Sequence, residues 1–203
     1  MRLSVNPNRM ELLRLRRRLA LAERGHKLLK DKLEELMRQF LETIRRLSEI
    51  QERVSARLKK IFLSFALARA RHSLADLERL LPEGKLALET KKERILNLAV
   101  PRFSVKELEV SDYDLLNTEG ELDIGIKKTK EILDDLLEMA RLWKAAELLS
   151  SEIEATRRRV NALEHILIPN IKETISYISS RLEEIERSYQ VQLMRVKEIV
   201  RGH

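Results

Sequence analysis

Apolar positions recur every seven residues through the first third of the chain, at Leu12, Leu19, Leu33, Phe40, Leu47, Val54 and Ile61, with His26 filling one place in the series. Three residues after the early members stand Leu15, Ala22, Leu29, Leu36, Thr43 and Ile50. The two series form an a/d seam, the narrow stripe by which one long helix packs on another. A helix from about Arg9 to Leu80 would reach on the order of 100 Å at ~1.5 Å per residue, so it needs a partner of similar length. Asn6 or Asn8 is placed to cap its exposed N–H groups, and Pro7 suits a first helical turn. Beyond Val54 the larger apolar residues, Leu63, Leu67, Ala70, Leu74, Leu77 and Leu81, fall on another face. They predict a stutter. Pro82-Glu83-Gly84 marks the stop.

A second helical pattern starts at Ile126. Leu142, Ala146, Leu149, Ile153, Val160, Leu163 and Leu167 make one stripe, and Ile171, Ile175, Ile178, Leu182, Ile185, Tyr189 and Val196 continue it past Pro169. A proline inside a helix removes a backbone bond, so a kink is expected near Ile166. Between the two rods Leu86, Leu88 and Thr90 alternate with polar residues, as do Leu96, Leu98 and Val100. These read as two strands of a short hairpin separated by Lys91–Arg94. Asp112 to Gly125 reads as short helices and loops. The fold class is therefore all-α dominated, a long antiparallel two-helix coiled coil with a small middle region holding a β-hairpin. The division is 1–81 for the first helix, 82–125 for the middle and 126–203 for the second helix. Folding back would bring both chain ends to one tip and the hairpin to the other.

Composition fits this picture, since 36% of residues are charged and only 4% aromatic. With no cysteine there is no disulfide frame, thiolate metal site or cysteine nucleophile. Absence of Cys beside abundant Glu, Lys and Arg also suits a thermophile. The opening MRLSVNPNRM lacks a secretory apolar region, and no stretch has the length of a membrane span, so a soluble, cytoplasmic protein is expected. Asp112, Asp114, Glu119, Glu121 and Asp123 miss the spacing of an EF-hand loop. Four scattered histidines make no site, and no paired carboxylates, triad or phosphate-cradling loop stands out. No catalytic residue, cofactor or metal is expected.

The net charge of +7 is concentrated near the start, at Arg14, Arg16, Arg17, Arg18, Arg24, Lys27, Lys30 and Lys32. A solvated face beside the seam explains such a run, and so does a surface for an acidic partner. Gly25 within it suggests close approach of another backbone. His26, at a seam position without a second His or Cys at ligand spacing, reads as a core histidine. A basic coiled coil that binds nucleic acid is one functional reading and a generic scaffold is another. The basic run lacks the interleaved aromatics of single-strand binders.

Two stretches carry a family likeness. Asn6 to Phe40, NPNRMELLRLRRRLALAERGHKLLKDKLEELMRQF, resembles the opening of the D-subunit of the archaeal and vacuolar-type rotary ATPases. Arg157 to Ile178, RRRVNALEHILIPNIKETISYI, resembles that family's C-terminal signature, and Leu98-Ala99-Val100-Pro101 falls where the family has its hairpin. Asn8 stands where Thr is usual, His165 where Tyr is common and Asn97 where Gly is expected in the hairpin turn. The resemblance implies a central rotor shaft without a nucleotide site of its own, peripheral to the membrane. Its implied partners are the A and B subunits of the catalytic hexamer, the F-subunit, and the C (d-type) subunit at the foot. The candidate contacts are Arg14, Arg16, Arg17, Arg18, Arg24, Lys27, Lys30, Arg157, Arg158, Arg159 and Asn161. Neither the coupling ion nor the direction of the reaction is written in this chain.

Overall fold

The computed structural model describes residues 5–71, 84–110 and 120–201. In chain order the elements are helix α1 (Arg9–Arg71), strands β1 (Gly84–Ile95) and β2 (Leu98–Val110), helix α2 (Gly120–Ala162), a π-helical turn (Leu163–Leu167) and helix α3 (Ile168–Arg201). Two long helical stretches with a two-stranded sheet between them make the chain an all-α dominated protein. It divides into two compact units, one of residues 1–35 with 153–203 and the other of residues 36–152.

In the first unit α1 begins at a real cap. The Glu11 N–H donates to Asn8 Oδ1 at 2.6 Å, and the Leu12 N–H donates to the Asn8 carbonyl at 3.1 Å. Pro7 therefore lies before the cap, outside the helix rather than in its first turn. Leu15 of α1 packs with Ile171 and Ile178 of α3, flanked by Leu12, Leu19, Leu167, Ile175 and Leu182. The pairing is antiparallel, because Arg9 bonds Glu186 at 2.5 Å while Lys172 reaches Glu23 at 2.9 Å. Ordinary steps of three and four residues along the second stripe give way to three successive steps of four, Leu163–Leu167–Ile171–Ile175. The π-turn sits there. The Ile168 N–H bonds the Leu163 carbonyl, a ring one residue wider than the α-helical one. Pro169, with no N–H to donate, follows directly, so the widened turn lies where the regular helical ladder would have lacked a bond. The interruption expected near Ile166 is thus a π-turn.

From Glu183 to Arg201 every α3 residue is exposed. Ile185, Tyr189, Leu193, Met194, Val196 and Val200 stand 52–71% open. The apolar stripe continues, but after Glu186 meets Arg9 no further pairing with α1 follows among the described residues.

In the second unit α1 packs on α2. Ile50, Val54, Ile61, Ile132 and Leu142 form one cluster, joined by Leu47, Leu58, Phe65, Leu136 and Met139. Ala68, Leu122 and Ile126 form another beside Phe65. The expected stutter after Val54 is absent: burial keeps the heptad through Ile61, Ser64 and Ala68, while Leu63 and Leu67 are exposed. Small residues hold the seam here. A Cβ on Gly125 would lie 3.3 Å from the Phe65 ring, whereas one on Gly25 would meet nothing within 4 Å. The close-approach glycine is therefore Gly125, inside α2, and not Gly25. Buried Thr43, Ser64 and Thr174 satisfy their hydroxyls on the carbonyls of Gln39, Lys60 and Asn170, one turn back.

The hairpin is antiparallel with Ile95 opposite Leu98. Its turn is Leu96-Asn97, so the charged tract Lys91–Arg94 lies inside β1 and not between the strands. Lys and Glu are tolerated in this strand because the two-stranded ribbon is largely solvated on both faces. Leu96, not Asn97, takes the left-handed backbone, at φ 54°. Lys106 is the extra residue of a bulge between the Ala87–Glu107 and Leu88–Val105 pairs. Pro101 sits in the two-stranded ribbon opposite Lys92, where each strand has a free edge and a missing donor is harmless. The helix α2 starts at Gly120, earlier than the pattern from Ile126 implies. Residues 72–83 and 111–119, on which the helix stop and most of the acidic loop fall, lie outside the described residues.

Candidate partner-binding surface

All eleven candidate contact residues belong to the first unit. Arg16, Arg17, Arg18, Lys27, Lys30, Arg157, Arg159 and Asn161 are exposed, and none has an ion pair among the described residues. Arg14 reaches Glu11 at 3.7 Å with its side chain 80% exposed. Arg158 reaches Glu154 at 3.5 Å, and the Arg24 Nε donates to the Ala20 carbonyl at 3.2 Å. Successive residues turn by about 100° around a helix. Three consecutive arginines therefore fan over about 200° of the circumference. Neither triplet lies on a single face of its helix.

The charge is segregated. Residues 1–35 with 153–203 hold 19 Lys and Arg against 12 Asp and Glu, which is the whole +7, while residues 36–152 hold 21 of each. The free apolar stripe Ile185–Val200 lies in the same unit as the surplus cations. Its surface thus offers oil and positive charge together. His26 Nε2 stands 3.3 Å from Glu164 Oε2 in the π-turn, with the His26 side chain 21% exposed, so this seam histidine faces a carboxylate across the coil. Among the described residues no group of His, Cys, Asp and Glu is arranged to hold a metal ion.

The sequence profile of the ATP synthase D-subunit family matches residues 11–198. The chain belongs to the ATP synthase D-subunit family. It is 45% identical over 203 aligned residues to the V-type ATP synthase D-subunit of Acetivibrio thermocellus, spanning 97% of this chain and 91% of that one. It is similarly 45% identical to the protein of the same name from Clostridium novyi, over 97% of this chain and 94% of the relative. Identity to the Thermoanaerobacter protein is 43%, over 97% and 96%. As a D-subunit the chain is a central-stalk component of a rotary ATPase, and the nucleic-acid and scaffold readings give way. Among the described residues no helix is long and apolar enough to cross a membrane.

Sequence reasoning missed one polar centre of this D-subunit, in the second unit. The Arg141 guanidinium forks onto Glu138, with Nε donating to Oε2 at 2.7 Å and Nη2 to Oε1 at 2.5 Å, while Nη1 donates to Glu93 Oε2 of β1 at 3.1 Å. The hydrogen bonds that Arg141 donates to Glu138 raise its pKa above the usual guanidinium value, against the opposing effect of burial and with help from both carboxylate charges. The i,i+3 spacing of Glu138 and Arg141 is readable in sequence, but the link to Glu93 is not.

Proposed function

We propose that this chain is the non-catalytic rotor shaft that couples nucleotide turnover in a head of A and B subunits to ion movement through a membrane ring. Family membership carries the reading. The surface of the first unit supports its placement in the head: an apolar stripe from Ile185 to Val200 with no described partner, cations fanned around the helices, and all of the net charge. On this reading the two ends of the chain contact A and B, and Arg14, Arg16, Arg17, Arg18, Arg24, Lys27, Lys30, Arg157, Arg158, Arg159 and Asn161 are contact residues there or toward the F-subunit. The segment 82–125 seats on the C (d-type) subunit, and the shaft stays peripheral to the membrane.

The work is transmission. An asymmetric helix pair inside a threefold collar touches three catalytic interfaces unequally and biases each toward a different nucleotide state; equal contacts would shift nothing. Exposed Arg and Lys side chains suit a turning contact. Each solvated ion pair holds about 0–1 kcal/mol, so partners exchange cheaply as the shaft moves.

Cross-linking tests the assignment directly, because the chain has no native cysteine. A cysteine at Val200 in the assembled ATPase is expected to link to A or B, and one at Lys92 is not. A Val200 link to the membrane-side subunit, with a Lys92 link deep in the head, would reverse the polarity. Copurification and mass spectrometry should recover A, B, F and C with the chain.

A further inference from the structure

The hairpin is held to its unit by little apolar contact. Val100 is its one fully buried residue among those described, and Leu86, Leu88 and Leu108 stand 41–45% exposed. Glu93, opposite Val100 in the ladder, meets Arg141 of α2, so the polar bond and the buried side chain share one rung of the ribbon. Pro101 and Phe103 of β2 then line an apolar cleft with Met139, Ala140, Trp143 and Lys144. The Arg141 side chain is 16% exposed, while Glu93 and Glu138 are 44% and 42% exposed, so water and ions reach the carboxylates. At the tip the Leu96 backbone sits in a left-handed conformation that a branched side chain adopts at a cost.

We propose that Arg141 is a positioning residue, a polar clasp that fixes the hairpin against α2 in one pose and opens without unfolding either element. The two carboxylates divide the task. Glu138, on the same helix, grips Nε and Nη2 and keeps the guanidinium aimed outward. Glu93 takes only Nη1, at the longest distance of the three. When Glu93 leaves, the fork to Glu138 remains and Arg141 keeps its orientation for recapture. Release uncovers Val100 and frees the ribbon to meet another surface. Nothing here depends on the partner assignments above, since clasp and hairpin belong to the chain itself.

The test uses the full chain. Spin labels on Lys92→Cys and Ser150→Cys, introduced into a chain without native cysteine, report the distance from hairpin to helix. Glu93→Gln keeps the shape and removes the charge. It is expected to raise the open population about tenfold, as loss of a charge-assisted bond implies. The label distances should broaden or split, with helix content and melting midpoint unchanged. About 1 M salt should move the native chain in the same direction and leave Glu93→Gln where it is. One narrow distance distribution in Glu93→Gln would overturn the proposal. So would a change in label distance that appears only together with loss of helix.

Discussion

Ile178 and Ile185 occupy equivalent places on one stripe seven residues apart, yet they differ in burial, at 0% and 52% exposed. Truncation to alanine separates what the stripe does inside the chain from what it keeps for a partner. Ile178→Ala removes about three carbon groups at ~0.8 kcal/mol each, roughly 2.4 kcal/mol of transfer. The cavity left among Leu15, Ile171 and Leu182 brings the loss to about 3 kcal/mol. Ile185 is already half in water, so the same truncation forfeits about 1 kcal/mol, and the better helix propensity of alanine returns ~0.4 kcal/mol. Urea unfolding of the isolated full chain, followed by far-UV circular dichroism, should therefore show a large drop for Ile178→Ala and a small one for Ile185→Ala. In the assembled ATPase the order is expected to close up, with Ile185→Ala weakening assembly. Equal losses in the isolated chain would show that Ile185 already has a partner there and would refute the reading of α3 beyond Glu186.

Gly25→Ala should stabilise the chain by about 0.5–1 kcal/mol, since the new methyl meets open space and the helix gains propensity, whereas Gly125→Leu should cost about 2 kcal/mol by crowding Phe65; thermal melts compare them. Asn8→Ala should cost about 1 kcal/mol by leaving the Glu11 N–H uncapped, and Asn8→Thr should recover most of it. The Arg141 pKa is raised in the folded chain, so its stabilisation is fully present below the ordinary guanidinium value and lost only as pH climbs through the raised one. The spin-label distance between hairpin and helix should accordingly stay unchanged through the mildly alkaline range, and a broadening there would mean that another group holds the hairpin.

The heptad was legible because its buried members are mostly large: Leu15, Leu36, Ile50, Val54 and Ile61 announce a seam in any reading of period seven. The same rule failed beyond Ile61. Leu63 and Leu67 look like core and are exposed, while Ser64 and Ala68 look indifferent and are buried, because position on the seven-residue period and not hydrophobicity decides which side chains face the partner helix. The hairpin turn was misplaced for a related reason. Lys91–Arg94 reads as loop only if strands must bury a face, and this ribbon scarcely does. Leu96 carries no left-handed signature at all. The basic candidates were easy to name, but their common membership of one unit depends on antiparallel pairing. Arg141 was invisible, since Glu93 lies 48 residues away along the chain.

The bare end of α3 also bears on what becomes of a copy made without its assembly. From Arg187 to Arg201 each turn of helix rests on its own propensity, with no second helix described beside it, and a segment of about this length is marginal in water. Local opening there costs little, and local opening is what a protease needs. An unassembled copy should thus be clipped first at this end, while under the proposed placement an assembled one would be shielded by its neighbours. The same bare stripe that the proposal puts inside a collar would mark the orphan for disposal.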